Sequence, residues 1–396
     1  MRIVIAPDSF KENMTAREVA ECIEAGIRRV LPKAKCQIVP MADGGEGTVE
    51  ALVAATGGEI HRREVTGPLG GRLQARFGIL GDGKTAVIEM AEASGLEKVP
   101  AAARDPMKAT TFGTGELLLA ALDAGVKRVI VGIGGSATVD GGLGMAQALG
   151  IRFLDEAGQV IASPAGGEAL ARVAHIDMAG RDPRIGKTRL QIACDVDNPL
   201  SGPMGAAPVF GPQKGATPEM VASLDAGLAH LGEAIWRGLQ VDVRTLPGGG
   251  AAGGLGAALV AFAGASLRPG VEIVIDATRL AAEIERADLV ITGEGRVDFQ
   301  TAFGKTPAGV ARLAAQAGVP VVAIGGALAD DAHGVFEHHI DAIEGATPRD
   351  MTLEQALGNS RVYLENAAER VMRLIAVGQR LERRKGQRKD KRRRKK

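Results

Sequence analysis

The sequence predicts an α/β protein built around a parallel sheet. Three observations carry that prediction. The first sixty residues alternate between short β-branched runs and amphipathic runs, an order that implies right-handed β-α-β crossovers. Glycine is abundant, 55 of 396 residues, and it clusters in MADGGEGT, GIGGSATVDGG, PGGGAAGG and ITGEG, between strand-like and helix-like segments. Such clusters mark tight loops where backbone approaches something closely or adopts positive φ. The hydrophobic fraction of 45% and charged fraction of 24% are those of an ordinary globular chain, long enough for two or three domains or one large one.

Taken in order, residues 1–6 read as a strand and 7–13 as a loop. Thr15 with Glu18 forms a capping box, and Ala16, Val19, Ala20, Ile23, Ile27, Val30 and Leu31 follow at helical spacing until Pro32 stops the helix. Residues 36–39 are a second strand. A glycine-rich loop leads to a helix over 48–56, ended by Gly57-Gly58. After Glu64 the pattern changes. Strand-like runs stand on both sides of Gly81-Asp82-Gly83, which predicts a hairpin. Residues 78–85, GILGDGKT, match the phosphate-loop pattern G-x-x-x-x-G-K-[ST] letter for letter. That loop functions only between a strand and a helix. Here Lys84 and Thr85 lead into a strand, so the match is expected to be incidental.

Alternation then resumes. Helices are predicted over 114–124, 143–149, 218–239, 257–264 and 306–317. Strands are predicted over 128–131, 151–154, 190–193, 287–291 and 319–324, and residues 352–377 are mostly helical.

No apolar run approaches the 18 residues of a membrane span, and the N-terminus lacks the apolar core of a signal peptide. Cys22, Cys36 and Cys194 are odd in number and lack metal-ligand spacing. The expected compartment is the reducing cytoplasm. Residues 380–396 contain twelve Lys or Arg and two acids, net +10, which leaves −9 on the rest of a chain with formal charge +1. This segment cannot build a core and is expected to be disordered from 379. It has no aromatic residue to stack on a base. No dedicated nucleic-acid partner is therefore expected, only nonspecific polyanion contact.

Ligands of open α/β sheets bind beyond the carboxyl ends of strands. Polar residues fall there repeatedly: Asp8, Ser9 and Lys11; Asp43 and Glu46; Ser136, Thr138 and Asp140; Asp195, Asp197 and Asn198; Glu294, Arg296 and Asp298. Singly, each is what helix caps and turns use. Together they can staff phosphoryl transfer, which needs positioning, charge neutralisation and a carboxylate to take the hydroxyl proton. Lys11, Lys214 and Lys305 lie in glycine-bearing loops and suit phosphate as point charges. Lys305-Thr306-Pro307 opens a helix, the context that Lys84 lacks. Two other readings stay open on the residues alone. Gly132, Gly134 and Ala137 with Asp155 fit a dinucleotide fingerprint, which would make the protein an NAD-dependent dehydrogenase of a small hydroxy acid. A non-enzymatic nucleotide- or metabolite-binding regulator is the third.

APDSFKE (6–12), MADGGEGT (41–48 with its Met), GIGGSATVDGGLGMAQALG (132–150), CDVDNPLSGP (194–203), FGPQKGA (210–216), PGGGAAGGLG (247–256), LRPGVEIV (267–274) and ADLVITGEGRVDFQTAFGKTPAGVA (287–311) together resemble the type I glycerate kinases, from about residue 1 to 377. The resemblance implies ATP-dependent phosphorylation of D-glycerate to 2-phosphoglycerate with Mg²⁺. It also implies two α/β domains with the active site between them. One would be flavodoxin-like and discontinuous, 1–65 plus 285–378. The other would be an inserted mixed α/β domain, 66–284, with the basic tail 379–396 outside the pattern. On loop position and charge, Asp195 is the preferred base. Asp43 and Asp298 are its rivals, for base or magnesium ligand. Lys11, Lys214 and Lys305 are expected at phosphate, with Lys11 close to the chemistry. Gly134, Gly135, Ser136 and Thr138 are expected to cradle phosphate through backbone N–H groups. Arg296 fits the glycerate carboxylate as a fork, with Asp8, Ser9 and Asp298 on the substrate side.

Overall fold

The computed structural model describes residues 1–11, 13–302 and 305–393. Its strands are β1 (Arg2–Ile5), β2 (Lys35–Ile38), β3 (Glu59–Thr66), β4 (Arg72–Ile79), β5 (Thr85–Glu89), β6 (Arg128–Gly132), β7 (Arg152–Leu154), β8 (His175–Asp177), β9 (Arg189–Ala193), β10 (Ser266–Arg268), β11 (Leu289–Val297), β12 (Val321–Leu328) and β13 (Ala342–Gly345). The chain divides into two units, Met1–Met41 with Thr278–Lys396, and Ala42–Ala277.

The first unit is built on a five-stranded sheet, ordered β13-β12-β11-β1-β2 and parallel throughout. Numbered within the unit, this is the 2-1-3-4-5 order of flavodoxin, whose topological switch point lies between the strands here called β1 and β11. Both faces of such a sheet are covered, so its central strands β1, β11 and β12 carry apolar runs: Ile3, Val4, Ile5, Val290, Ile291, Ala323 and Ile324 are fully buried. The crossover helix Ala16–Val30 begins at the predicted capping box. Thr15 accepts from Glu18 N–H, and the Glu18 side chain accepts from Thr15 N–H. This helix packs against Ser360–Arg393, which buries Leu364, Ala367, Ala368 and Met372. The pairs Arg29–Glu365 and Arg361–Glu18 lie along the seam.

The second unit is built on a mixed six-stranded sheet, ordered β10-β9-β6-β5-β4-β3. β3, β4 and β5 are an antiparallel meander, and β5, β6, β9 and β10 are parallel. The phosphate-loop look-alike is the turn between β4 and β5. Asp82 Oδ1 accepts from Lys84 N–H at 2.8 Å and Thr85 N–H at 2.9 Å, and Thr85 opens β5. No helix leaves this turn to present N–H groups to a phosphate.

Three features differ from the sequence reading. The chain enters the second unit at Ala42 and leaves it at Ala277, where patterning had suggested 65 and 285. The helix Thr48–Thr56 explains the first shift. It packs on β4 and β5, close enough that a Cβ on Gly78 would meet Val53 Cγ2 at 2.5 Å. The second shift comes from LRPGVEIV, assigned no element from sequence, which forms β10 and the helix Gly270–Thr278 with Val271, Ile273 and Val274 buried. Its β-branched residues hide a helix whose pattern is set by burial. Lastly, the basic segment expected to be disordered is helical through Arg393. The helix is already nucleated where it packs on the first unit, and Arg, Lys, Gln and Glu propagate it at little cost. Residues 394–396 lie outside the described residues.

Among the described residues, no helix is long and apolar enough to cross a membrane.

A Cβ on Gly26 would stand 2.2 Å from Glu365 O. The helices 16–30 and 360–393 therefore meet through backbone at this point. Gly26→Ala should force them apart and lower stability by about 1–3 kcal/mol. Urea unfolding checks this: the midpoint should fall, with the slope unchanged.

Candidate active site

In the second unit the segment 42–47 lies across the carboxyl ends of β6 and β9. Glycine makes that approach possible. A Cβ on Gly132 would meet Gly44 O at 2.5 Å, and one on Gly270 would meet Asp43 O at 1.7 Å. The result brings Asp43 and Asp195 into one neighbourhood. Asp195 follows β9, and its Oδ1 accepts from Gly270 N–H at 2.9 Å. Asp43 Oδ1 accepts from Gly45 N–H at 3.0 Å. Asp195 keeps a solvent-facing edge, but surrounding protein strips enough water to push its carboxyl up to about 6. The Gly270 N–H opposes that rise, and the negative charge of Asp43 adds to it. Neither carboxylate has a cationic side chain paired to it among the described residues.

Residues 133–142 form the loop after β6. Leu96 N–H donates to Gly135 O at 2.8 Å and Ala137 N–H donates to Ser94 O at 2.9 Å, which fixes the loop at both ends of Ser136. The N–H groups of Gly134, Gly135 and Ser136 meet no acceptor among the described residues. Gly135 has φ +72°, and a Cβ on Gly134 would lie 3.3 Å from Gly45 Cα. Three consecutive donors thus stand beside the Asp43 segment, an arrangement that suits phosphate oxygens. The Thr138 N–H likewise meets no acceptor among the described residues, but the residue lies deeper. It is fully buried, and its Oγ1 has no partner.

Lys214 is placed differently from the expectation. It is 1% exposed, and its Nζ donates to Ser136 Oγ and to Thr138 O, both at 2.7 Å. It lies beneath the loop and has no open path to a phosphate. A lysine between glycines signals both a phosphate grip and a buried pin, and only packing separates the two. Burial pushes its ammonium down to about 7, with the Asp140 carboxylate opposing. Asp140 is itself fully buried. It accepts from Thr111 N–H (2.8 Å), Thr111 Oγ1 (2.7 Å), Gly142 N–H (3.0 Å) and Gly144 N–H (3.2 Å), and desolvation nonetheless pushes its carboxyl up.

The sequence reading missed Glu89. It ends β5, is 6% exposed, and accepts from Val49 N–H at 2.7 Å at the start of the helix Thr48–Thr56. Burial pushes its carboxyl up to about 7. It anchors the segment carrying Asp43 from below. The available signal was a glutamate at the carboxyl end of the apolar run AVIEM.

The dinucleotide reading fails on topology. β7 pairs with β8 in a separate ribbon, so Asp155 does not stand beside β6 in the main sheet. Its carboxylate accepts from Ala157 N–H and Gln159 N–H in a local turn.

In the first unit, loops after β1 and along the end of β11 meet at the switch point. Asp8 accepts from Ser9 N–H (2.7 Å) and from Thr306 Oγ1 (2.6 Å). Lys305 Nζ lies 3.5 Å from Glu294 Oε2 and 3.7 Å from Asp298 Oδ1. Asp298 Oδ1 also accepts from Thr301 N–H at 3.1 Å. Burial pushes the Glu294 carboxyl up, with Thr301 and Lys305 opposing, and its Oε1 is buried without a partner among the described residues. Lys11 and Arg296 are exposed, and neither side chain makes a hydrogen bond or ion pair among the described residues. Asp8, Ser9, Asp298 and Lys305 are thus gathered in one unit, and Asp43, Asp195 and the loop 134–136 in the other.

Among the described residues, no three His, Cys, Asp or Glu side chains cluster as a metal cage. A magnesium ion held mainly through nucleotide phosphates needs only one or two carboxylates. Asp43, with Oδ2 uncommitted and no paired cation among the described residues, fits that requirement better than Asp298, which Lys305 partly neutralises.

Two substitutions test this geography. Lys84→Ala, in the hairpin turn, should leave kcat unchanged within twofold. Gly270→Ala must displace the Asp43 backbone, and should lower kcat at least tenfold while circular dichroism shows the fold retained.

Known proteins resemble this chain over nearly its whole length. The model of the glycerate kinase family matches residues 3–376. A glycerate kinase of Halalkalibacterium halodurans is 54% identical, over 93% of this chain and 97% of its own length. The glycerate 2-kinase of Escherichia coli K12 is 50% identical, over 96% and 99%. A crystal structure described as a glycerate kinase 2 from Salmonella typhimurium LT2 superimposes with TM-score 0.88 at 53% identity, covering 96% of this chain and 99% of that one. The chain therefore belongs to the glycerate kinase family and is an enzyme.

Proposed function

We propose that the protein transfers the γ-phosphoryl group of ATP to the 2-hydroxyl of D-glycerate, giving ADP and 2-phosphoglycerate. The observation that carries this reading is the pair Asp195–Asp43 beside the N–H groups of residues 134–136, which meet no acceptor among the described residues. The name of the Escherichia coli relative, a glycerate 2-kinase, supports the choice of hydroxyl.

Asp195 is the base. Its Oδ1 is held by Gly270 N–H, which leaves Oδ2 to take the proton. A carboxyl pushed up to about 6 is ionised at neutral pH, yet more basic than an ordinary aspartate. As the hydroxyl oxygen forms its bond to phosphorus, the bond from the γ-phosphorus to the bridging oxygen breaks, ADP leaves, and the hydroxyl proton passes to Asp195. The N–H groups of Gly134, Gly135 and Ser136 hold phosphate oxygens through this step and need no reorganisation. Magnesium, when bound with ATP, neutralises phosphate charge, and Asp43 is the residue to hold it. Arg296, exposed and unpaired among the described residues, suits the glycerate carboxylate as a bidentate fork. Lys305 and Lys11 are cations suited to phosphate, with Asp8, Ser9 and Asp298 as substrate-side polar groups. The enzyme is assigned to the cytoplasm, and three unpaired cysteines support a reducing compartment.

³¹P NMR of the protein with D-glycerate, ATP and Mg²⁺ tests the reaction. A new monoester signal, coupled to the single proton on C2, is the expected result. Glycerate-independent ADP release alone would exclude the assignment. Asp195→Asn should keep the fold and lower kcat by roughly 10²–10⁴. A base must be deprotonated to act, so kcat/KM should fall as pH drops through about 6 and stay level just above it. A pH–rate profile that keeps this limb in the Asn variant would remove Asp195 from the role.

A further inference from the structure

The lysine expected to grip phosphate is sealed beneath the loop whose N–H groups meet no acceptor among the described residues. Lys214 sits at the end of the short 3-10 segment Pro212–Lys214, followed by Gly215 with φ +91°. A Cβ on Gly215 would come 2.7 Å from Arg104 O, and Arg104 in turn donates to Gln213 O at 3.3 Å. The segment is therefore clamped, and the ammonium at its tip has a fixed position. That ammonium donates to two atoms of one loop, Ser136 Oγ and Thr138 O. The residues it holds flank Ala137, which is fixed from the other side by Ser94 O. The uncommitted N–H groups of Gly134, Gly135 and Ser136 lie immediately before this anchored point. Asp140, fully buried and satisfied by Thr111, Gly142 and Gly144, fixes the far end of the same loop and balances the charge.

We propose that Lys214 is a positioning residue for phosphoryl transfer: from beneath, it holds residues 136–138 so that the N–H groups of Gly134, Gly135 and Ser136 converge on the phosphates of ATP. The proposal rests on the kinase reading above. Stability alone does not require an ammonium here. An apolar side chain of the same length would fill the space without stripping water from a charge, at the expense of leaving Ser136 Oγ and Thr138 O without that donor. What the ammonium adds is directionality. Two short hydrogen bonds of fixed geometry set a backbone that would otherwise reach its binding form only part of the time, and a binding-competent fraction below one weakens affinity in proportion.

Lys214→Met keeps chain length and removes both hydrogen bonds and the charge. Calorimetric titration of the folded variant with MgATP should show Kd raised at least tenfold. In steady state the ATP KM should rise likewise, while the D-glycerate KM stays within twofold. A role in stability alone would lower the melting temperature and leave this split absent. Ser136→Ala removes one acceptor with little change in volume, and should raise the ATP Kd several-fold. It decides the matter if the Met variant fails to fold. A folded Lys214→Met with unchanged MgATP affinity overturns the proposal, as does an unchanged Ser136→Ala where the Met variant is unfolded. Failure of the kinase reading is separable: wild-type protein that binds MgATP, loses that binding in the variant, and never phosphorylates D-glycerate would retain Lys214 in its role and discard the substrate. Wild-type protein that binds no MgATP overturns both.

Discussion

The contact on which the second unit's site depends is backbone against backbone. The segment at Asp43 and Gly44 passes so near Gly132 and Gly270 that no side chain fits at either position. This approach sets the height of Asp43 above the sheet. It also delivers Gly270 N–H to Asp195, so that the two carboxylates share one neighbourhood. Like charges held together resist ionisation, and the Asp195 carboxyl is pushed up accordingly after desolvation has done most of the work. The glycine clusters of this chain are thus a steric requirement at the ends of strands.

Beneath that surface lies a layer of buried ionisable groups. Glu89 holds the start of the helix Thr48–Thr56, Asp140 gathers four donors, and Lys214 holds Ser136 and Thr138. Each is costly to bury, and each spends its hydrogen bonds on a loop that carries candidate chemistry. The outer residues can be small and flexible glycines because the residues below them are fixed. This division between a supporting layer and a presenting layer gives pre-organised donors without a standard phosphate loop.

The first unit solves a similar problem by topology. In a 2-1-3-4-5 sheet the loops after β1 and β11 lie at the switch point, and polar residues collect there: Asp8 with Thr306, and Lys305 between Glu294 and Asp298. Arg296 and Lys11 remain exposed at the same edge. Their freedom suits residues that meet anionic ligands, whereas Lys305 is already partly compensated.

The sequence by itself determined the α/β class, most element positions, the capping box at Thr15 and the rejection of GILGDGKT, because these depend on local periodicity and on turn chemistry within a few residues. Its blocks also carried the resemblance that the full-length matches bear out. Tertiary structure decided what depends on neighbours distant in sequence. It assigned the helix Thr48–Thr56 to the second unit, because that helix packs on β4 and β5. It revealed Glu89, whose partner Val49 is forty residues away. It turned Lys214 from an expected phosphate ligand into a buried pin, since burial is a property of the assembled core. It removed Asp155 from contention, because strand neighbours are set by sheet order and not by chain order. Pattern shows which side chains are present at a loop. Whether a charge faces solvent or the interior is settled only when the layers above and below it close.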